Sequence, residues 1–205
     1  MNYLAHAYLS FQDSETLVGN LISDFVKGNK KFNYSAHIQS GIVLHRQIDE
    51  FTDNHIATRD AKTYFRSAYR LYSGAFVDVV YDHFLANDAS QFPGDSLPAF
   101  SHRCYSQLDQ YTDVFPLRFR QMFHYMKLQD WLYNYRRKEG IYNSFAGLVR
   151  RARYMDDHKT AFDIFEKNHD QLKACYAAFF PEVYAFARQK FTESGFARPD
   201  DLRQD

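Results

Sequence analysis

Apolar residues recur at helical spacing along most of the chain, and no stretch alternates strictly between apolar and polar positions as a β-strand would. Glycines and prolines lie mainly between these periodic segments. A helix capped by Ser35 should run through Phe51. The remaining helices are predicted, with Ser14 as a further cap, over residues 3–9, 14–27, 58–69, 73–87, 99–111, 116–138, 141–155, 158–179 and 181–193. The pattern therefore predicts an all-α protein.

The clearest interruption of the helical pattern lies at residues 88–98. Pro93, Gly94 and Pro98 fit poorly inside a helix. We interpret the segment as a loop within one helical domain, because either half alone would be only a small bundle. The predicted organisation is a single domain over residues 1–193, with halves 1–87 and 99–193, followed by a polar tail at 194–205.

Composition narrows the function classes. The 25 basic and 25 acidic side chains balance, which argues against nonspecific nucleic-acid binding. Aromatic residues make up 18% of the chain, which predicts a core built from large rings. Two cysteines are too few for a cysteine zinc site or a disulfide framework. The start shows no signal peptide, and no apolar run is long enough to span a membrane, so we expect a cytoplasmic protein that binds no membrane.

Residue types that bind metals recur four residues apart in the first half. Residues at this spacing lie on one helix face, so each pair can direct two side chains at one point. Three such helices packed together could surround a metal ion. The pairs are Asn20 with Asp24, His45 with Asp49, Asp49 with Asp53, and Asp78 with Asp82.

The apolar neighbours of Asp24 and Asp78 support a metal site, because a buried carboxylate needs a cation or a proton. Histidine and carboxylate ligands suit Mn²⁺, Mg²⁺, Fe²⁺ or Zn²⁺. The competing interpretation is that these residues lie on solvated helix faces, where aspartate and histidine are common. Taken alone, His6 and His55 are best explained as packing or capping residues.

Four segments of the sequence carry a family resemblance. They are MNYLAH at 1–6, GNLISDFVKG at 19–28, GIVLHRQIDEFTDNH at 41–55 and VDVVYDHFL at 77–85. In this order they resemble the motifs of the acyl carrier protein phosphodiesterases, also called acyl carrier protein hydrolases, which are related to the HD-domain metal phosphohydrolases. The match is dense over residues 1–87 and looser beyond.

The resemblance implies an HD-domain-like helical bundle and a specific reaction. The family hydrolyses the phosphodiester that links 4′-phosphopantetheine to the serine of holo-acyl carrier protein, giving apo-acyl carrier protein. A divalent metal supports the reaction, with Mn²⁺ preferred and Mg²⁺ or Fe²⁺ as alternatives. This chain lacks the adjacent His-Asp pair of the HD relatives and has Asp82-His83 instead. The division between metal ligands and acid–base groups therefore stays open.

The expected site residues follow from the motifs and the basic runs. Arg46 is assigned a place at the rim, because it points about 100° away from the face that carries His45. Expected metal ligands are Asp24, His45, Asp49, Asp78 and Asp82. Expected catalytic residues are Asp24, His45, Asp49, Asp78 and His83. Residues expected at the substrate phosphate are Asn20, Arg46 and His55, and residues expected to dock the acidic carrier protein are Arg150, Arg151 and Arg153.

Two other functions remain open at this point. A metal phosphohydrolase acting on a nucleotide or another small phosphoester would have the same first half, because the metal site does not encode the leaving group. A helical protein-binding module with a degenerate site is the second alternative. Metal content separates the module from the enzymes, and a substrate panel separates the two enzymes. The sequence leaves the identity of the metal and the oligomeric state open.

Overall fold

A computed structural model describes residues 1–152, 155 and 157–196 of the chain, and this part is helical without any β-strand. The predicted all-α class is therefore confirmed, whereas the HD-like arrangement stays a prediction. Within the described residues, no helix has the length and apolar character needed to cross a membrane. The helices are α1 (Tyr3–Tyr8), α2 (Ser14–Ile22), α3 (Ala36–Asn54), α4 (Ile56–Tyr69), α5 (Ser73–Ala86), α6 (Leu97–Asp109), α7 (Leu117–Leu128), α8 (Trp131–Asn134), α9 (Lys138–Arg151), α10 (Lys159–Lys167) and α11 (His169–Glu193).

The helix starts in the first half depend on side-chain caps. Ser35 caps α3 as predicted, since its hydroxyl accepts a hydrogen bond from the Ile38 amide at 3.2 Å. The cap of α2 is Asp13 rather than Ser14, with a 2.8 Å hydrogen bond from the amide of Thr16. Helix α2 ends at Ile22 instead of residue 27, and a 3₁₀ turn over Ser23–Phe25 follows.

The second half contains two helix breaks that the pattern did not predict. The helix expected over 116–138 is divided at Asp130, which adopts a left-handed backbone conformation with φ of 45°. The helices expected over 158–179 and 181–193 are divided at Asn168 instead, and Pro181 lies inside α11. The buried neighbours Phe180 and Val183 hold the helix together there, although proline removes one helical hydrogen bond.

Helices α2 and α3 cross in close contact at two glycines. A Cβ atom on Gly19 would lie 2.1 Å from the carbonyl oxygen of Ile38, and one on Gly41 would lie 2.5 Å from that of Thr16. Only glycine permits this approach of the two backbones. The crossing fixes the end of α2, and the turn that follows it, against the middle of α3.

Aromatic rings fill the core, as the composition predicts. Phe179 of α11 stacks on Tyr81 of α5 with ring centroids 5.0 Å apart, and Phe145 of α9 packs edge-on against Phe76. Helix α11 contacts α3, α4 and α5, so the second half of the chain covers the first. The Tyr176 hydroxyl also donates a 3.0 Å hydrogen bond to Asp88 at the start of the predicted loop. The domain limits themselves stay a prediction.

Candidate metal centre

The centre begins with two residues one turn apart on α3. Nε2 of His45 lies 3.1 Å from a carboxylate oxygen of Asp49, as their spacing predicts. The same nitrogen lies 3.4 Å from a carboxylate oxygen of Asp24, which the 3₁₀ turn after α2 carries. The structure therefore brings these three predicted ligands together.

His6 of α1 completes the cluster and was missing from the predicted ligand set. Its Nε2 atom lies 3.1 Å from the second carboxylate oxygen of Asp49, and its ring stacks on that of His45 with centroids 4.0 Å apart. Among the described residues, His6, His45 and Asp49 offer ligand atoms that all lie within 4.8 Å of one another. His6 stands alone on its short helix, so no spacing pattern marks it. The only indication of a role for His6 in the sequence was its position in the first of the four motif segments, residues 1–6.

Asp82 holds α1 in place and has no contact with the cluster. Its carboxylate accepts hydrogen bonds from the amides of Leu4 at 2.7 Å and Ala5 at 3.1 Å. A carboxylate at a helix N-terminus satisfies free amides and complements the helix dipole. The role of Asp82 as a metal ligand stays a prediction that this geometry does not favour, because both of its oxygens accept hydrogen bonds from the backbone of the helix that carries His6.

The donor atoms of the cluster suit a divalent ion. Both ring nitrogens of His45 and Nδ1 of His6 are buried and make no hydrogen bond within the described part of the chain. Nε2 of His45 nevertheless faces two carboxylates. Ligand atoms around a small octahedral cation lie about 3–4 Å apart, which matches the separations between these side chains. Nitrogen and carboxylate ligands without sulfur fit Mn²⁺, Fe²⁺, Mg²⁺ or Zn²⁺.

The electrostatics of the cluster separate the two histidines. Burial lowers the pKa of His6 to about 4, so this ring is neutral at pH 7. Burial also opposes charge on His45, but the carboxylates of Asp24 and Asp49 outweigh it and raise the pKa of His45 to about 9. Burial disfavours charge on Asp49 as well, yet the two histidines hold the pKa of Asp49 far below its ordinary value. The contact with His45 also lowers the pKa of Asp24.

Asp78 lies at the edge of the cluster. Its carboxylate is 3.1 Å from the nitrogen of Met1, which also lies 3.3 Å from Asp49. Burial raises the pKa of Asp78. Burial opposes charge on the Met1 ammonium, but Asp78 and Asp49 outweigh it and raise its pKa to about 10. The Met1 ammonium group therefore lies between Asp78 and Asp49, and Asp78 makes no direct contact with either histidine of the cluster.

A cavity of about 360 Å³ opens above the cluster. Asn20 reaches into it from α2. Its amide nitrogen donates to the carbonyl oxygen of His6 at 2.9 Å, while its buried Oδ1 atom has no hydrogen-bond partner among the described residues. Arg151 enters from α9 and contributes a guanidinium group. The cavity combines the cluster with a free acceptor and a cation. Its lining includes Met1, Tyr3, His6, Asn20, Asp24, His45, Asp78, Leu148 and Arg151.

Three residues predicted for the chemistry lie elsewhere. Nδ1 of His83 is 2.7 Å from the carbonyl oxygen of Tyr135, and burial lowers the pKa of His83 to about 4. His55 caps α4 and lies 3.3 Å from Glu182, beside a different cavity. Arg46 donates a 3.0 Å hydrogen bond to the carbonyl oxygen of Val26. The catalytic role of His83 and the phosphate roles of His55 and Arg46 stay predictions that these contacts do not support.

The predicted docking arginines separate into three cases. Arg151 lines the cavity of the cluster, so its position suits the substrate itself better than a remote docking surface. Arg150 lies on α9 beside a neighbouring cavity, where it is exposed. Arg153 lies outside the described residues. A role of Arg150 in docking stays a prediction.

The protein is all-α, and two histidines and a carboxylate converge beneath an open cavity. These features define its class as a helical protein with a candidate metallohydrolase centre. The sequence narrows this class, because the model of the family described as acyl carrier protein phosphodiesterase matches residues 1–183. The chain belongs to this family, and the resemblance carried by its motifs is confirmed.

The alignments with curated relatives extend over nearly the whole length of both chains. Acyl carrier protein phosphodiesterase of Serratia proteamaculans (strain 568) is 35% identical over 191 residues, covering 93% of this chain and 99% of the relative. The protein of the same name from Photorhabdus laumondii is 32% identical, covering 93% and 96%. The one from Escherichia coli (strain ATCC 8739) is 33% identical, covering 93% and 99%. No solved structure matches the chain.

Proposed function

We propose that this protein hydrolyses the phosphodiester between 4′-phosphopantetheine and the serine of holo-acyl carrier protein. Water adds across the bond between phosphorus and the serine oxygen. The water oxygen stays on phosphorus, and the serine oxygen leaves with a proton as apo-acyl carrier protein forms. Membership in a family whose relatives carry this name supports the reaction. The observation that carries the proposal is the convergence of His6, His45 and Asp49 beneath an open cavity.

A divalent ion fits the cluster best between His6, His45 and Asp49, with Asp24 beside it. Such an ion lowers the pKa of a bound water and neutralises charge on phosphoryl oxygens. Mn²⁺ remains the proposed metal, with Mg²⁺ or Fe²⁺ as alternatives. We leave Asp82 out of this proposed set because its carboxylate caps α1.

The remaining cavity residues suit particular roles toward the substrate. Arg151 is the cation in the cavity, and a guanidinium group can bind two phosphate oxygens at once. The unpaired Oδ1 atom of Asn20 can accept a hydrogen bond from a water and orient it. Asp78 is the proposed proton carrier, because it lines the cavity and burial raises its pKa.

The proposed partner is an acidic protein, which favours a basic surface around the cavity mouth. The exposed Arg150 lies next to Arg151 at the end of α9, and the exposed Arg137 lies at the start of the same helix. Charges at the edge of an interface raise the association rate more than the affinity. The predicted cytoplasmic location forms part of this proposal. Oligomeric state plays no part in it.

The reaction is tested by incubating the purified protein with holo-acyl carrier protein and Mn²⁺ and measuring the intact mass of the carrier. We expect the carrier to lose the mass of the arm and free 4′-phosphopantetheine to appear. EDTA should stop the reaction, and Mn²⁺ in excess should restore it. A carrier that keeps its arm, while nucleotides or other small phosphoesters are cleaved, would assign the centre to the alternative small-substrate function.

A further inference from the structure

A second and larger cavity, of about 840 Å³, adjoins the candidate metal centre. Asn2, Tyr3, Leu148 and Arg151 line both cavities, so the two share one wall. The volume lies within the roughly 300–1,000 Å³ found for pockets that bind small molecules. This second cavity, the side cavity, therefore borders the centre, and none of the proposed catalytic steps uses it.

The lining of this side cavity combines amides with apolar surfaces. Gln129, Asn134 and Asn143 supply amide groups, each able to donate and accept hydrogen bonds. Apolar surface comes from Trp131 and the other aromatic or aliphatic residues, which are Tyr3, Val79, Tyr135, Ala146 and Leu148. The rings of Tyr3 and Trp131 approach to 6.2 Å between centroids. Such a surface suits an uncharged chain that carries amide groups and methyl groups.

Two glycines of α9 shape the side cavity. A Cβ atom on Gly140 would lie 1.9 Å from the carbonyl oxygen of Asn134, so this glycine lets α8 pack directly against α9. A Cβ atom on Gly147, two turns further along, would meet no atom of the described part of the chain within 4 Å. Both residues line the cavity. One glycine brings the walls together, and the other leaves the space between them open.

Cations line both ends of the side cavity, because Arg150 and Arg151 end α9 and Arg137 precedes its first residue. Arg151 belongs to both linings, and Arg150 and Arg137 line the side cavity only. Glu139 is the acidic side chain among the lining residues. A ligand with one negative charge at its end and a neutral remainder would place the charge at Arg151 and the remainder among the amides.

We propose that this side cavity binds the pantetheine arm of the substrate, with the phosphodiester at Arg151 and the arm between Trp131 and α9. The inference rests on the proposed function. The arm has the matching chemistry: a phosphodiester at one end, then a geminal dimethyl group, a hydroxyl and two amides. Seating the arm here directs the serine side of the phosphodiester toward the cavity above His6 and His45. The cavity thereby selects substrates by what is attached to the phosphate.

The first test measures binding directly with pantetheine, which contains the neutral part of the arm and no scissile bond. Trp131 is the single tryptophan of the chain, so its fluorescence reports on this cavity alone. We expect a saturable change in emission as pantetheine is added to the metal-loaded protein. Constant emission, together with no inhibition of any phosphodiesterase activity by pantetheine, would overturn the proposal. This test uses the wild-type protein, so its outcome does not depend on the folding of a variant.

The second test fills the cavity from Gly147. Gly147→Phe places a ring in open space, and we expect the dissociation constant of pantetheine to rise at least about tenfold. The KM for holo-acyl carrier protein should rise by a similar factor. Ala177→Phe is the matched control, because Ala177 is exposed in the middle of α11 and lines neither cavity. Thermal unfolding and Mn²⁺ binding of each variant verify that it is folded.

The outcomes of the two tests separate this proposal from the proposed function. A folded Gly147→Phe protein that releases the arm with wild-type KM overturns the cavity assignment and leaves the reaction standing. A wild-type protein that binds pantetheine at Trp131 but never releases the arm supports the cavity and overturns the reaction. If Gly147→Phe does not fold, the wild-type titration and competition with pantetheine decide.

Discussion

The imidazole rings of His6 and His45 stack 4.0 Å apart, and their Nε2 atoms lie 3.1 Å from different oxygens of the Asp49 carboxylate. One ring comes from α1 and the other from α3. Their pKa values are about 4 and about 9, so at neutral pH one is neutral and the other is charged. Asp49 is therefore the link between two helices that are far apart in sequence.

His6 should be required for activity although it lies outside the central motif. We expect His6→Gln to lower kcat/KM for release of the arm by more than about 100-fold, since losing a ligand costs more than losing a residue that only supports one. Mn²⁺ affinity, measured by calorimetry, should fall as well. The matched control is His102→Gln, an exposed histidine of α6, which should keep wild-type values. A His6→Gln protein with normal Mn²⁺ affinity would remove His6 from the proposed ligands.

Metal binding should release a proton from His45. With a pKa of about 9, His45 is protonated at pH 7.5 in the metal-free protein, and a metal ligand must be neutral. His6 is already neutral there. The apparent Mn²⁺ affinity should therefore rise about tenfold per pH unit between pH 7 and pH 9 and level off above.

Calorimetric titrations at pH 7.5 in buffers with different ionisation enthalpies measure this release. We expect about one proton per ion bound. The His45→Gln variant has no such proton to lose. Any Mn²⁺ that still binds to it should therefore release fewer protons per ion than the wild-type protein does. A binding enthalpy of the wild-type protein that does not change with the buffer would show that no proton is released, and would contradict the charged state of His45.

Asp82 should affect stability more than metal stoichiometry. Asp82→Ala removes the acceptor for the Leu4 and Ala5 amides, and we expect a loss of about 1–2 kcal/mol in the free energy of unfolding. Chemical denaturation measures the change. The number of Mn²⁺ ions bound at saturation should stay the same, because neither oxygen of Asp82 faces the cluster.

Asp109→Ala serves as the control for Asp82. Asp109 contacts Lys127 at 2.7 Å on the surface, and such exposed pairs contribute about 0–1 kcal/mol. If Asp82→Ala instead lost one bound ion while keeping its stability, Asp82 would return to the set of proposed ligands.

The crossing of α2 and α3 should tolerate no side chain at Gly41. Gly41→Ala places a methyl group 2.5 Å from the carbonyl oxygen of Thr16, and we expect a loss of about 1–3 kcal/mol in stability. Arm release should fall too, because separating the helices moves Asp24 away from His45. Gly74→Ala is the control: its methyl group meets only the flexible end of Lys62 at 3.3 Å, so stability should be unchanged or slightly higher. Equal thermal unfolding of both variants would refute the close crossing.

Local sequence rules predicted the elements that depend on local interactions. Ser35 and the periodic residues after it gave α3 and its start, because a cap and an apolar face both act within one helix. The rules failed where tertiary contacts dominate. Asp130 breaks a periodic segment, while Pro181 remains helical between buried residues. Neither outcome can be seen from neighbours in sequence alone.

The site shows the same division. His45 and Asp49 form a pair because four residues make one turn, which needs no knowledge of the fold. Asp78 and Asp82 share that spacing, yet one faces the Met1 nitrogen and the other caps α1. Only the position of α1 against α5 decides between these roles. The same position also brings His6 into the cluster.

The short helix α1 holds one proposed ligand, and it is anchored by Asp82 at its start and by the contact of His6 with Asp49. A metal ion shared by His6 and the α3 residues would join the beginning of the chain to its middle like a removable cross-link. Binding to the folded state alone adds stability that grows with metal concentration. Metal supply would then set how long the enzyme survives proteases as well as how fast it works.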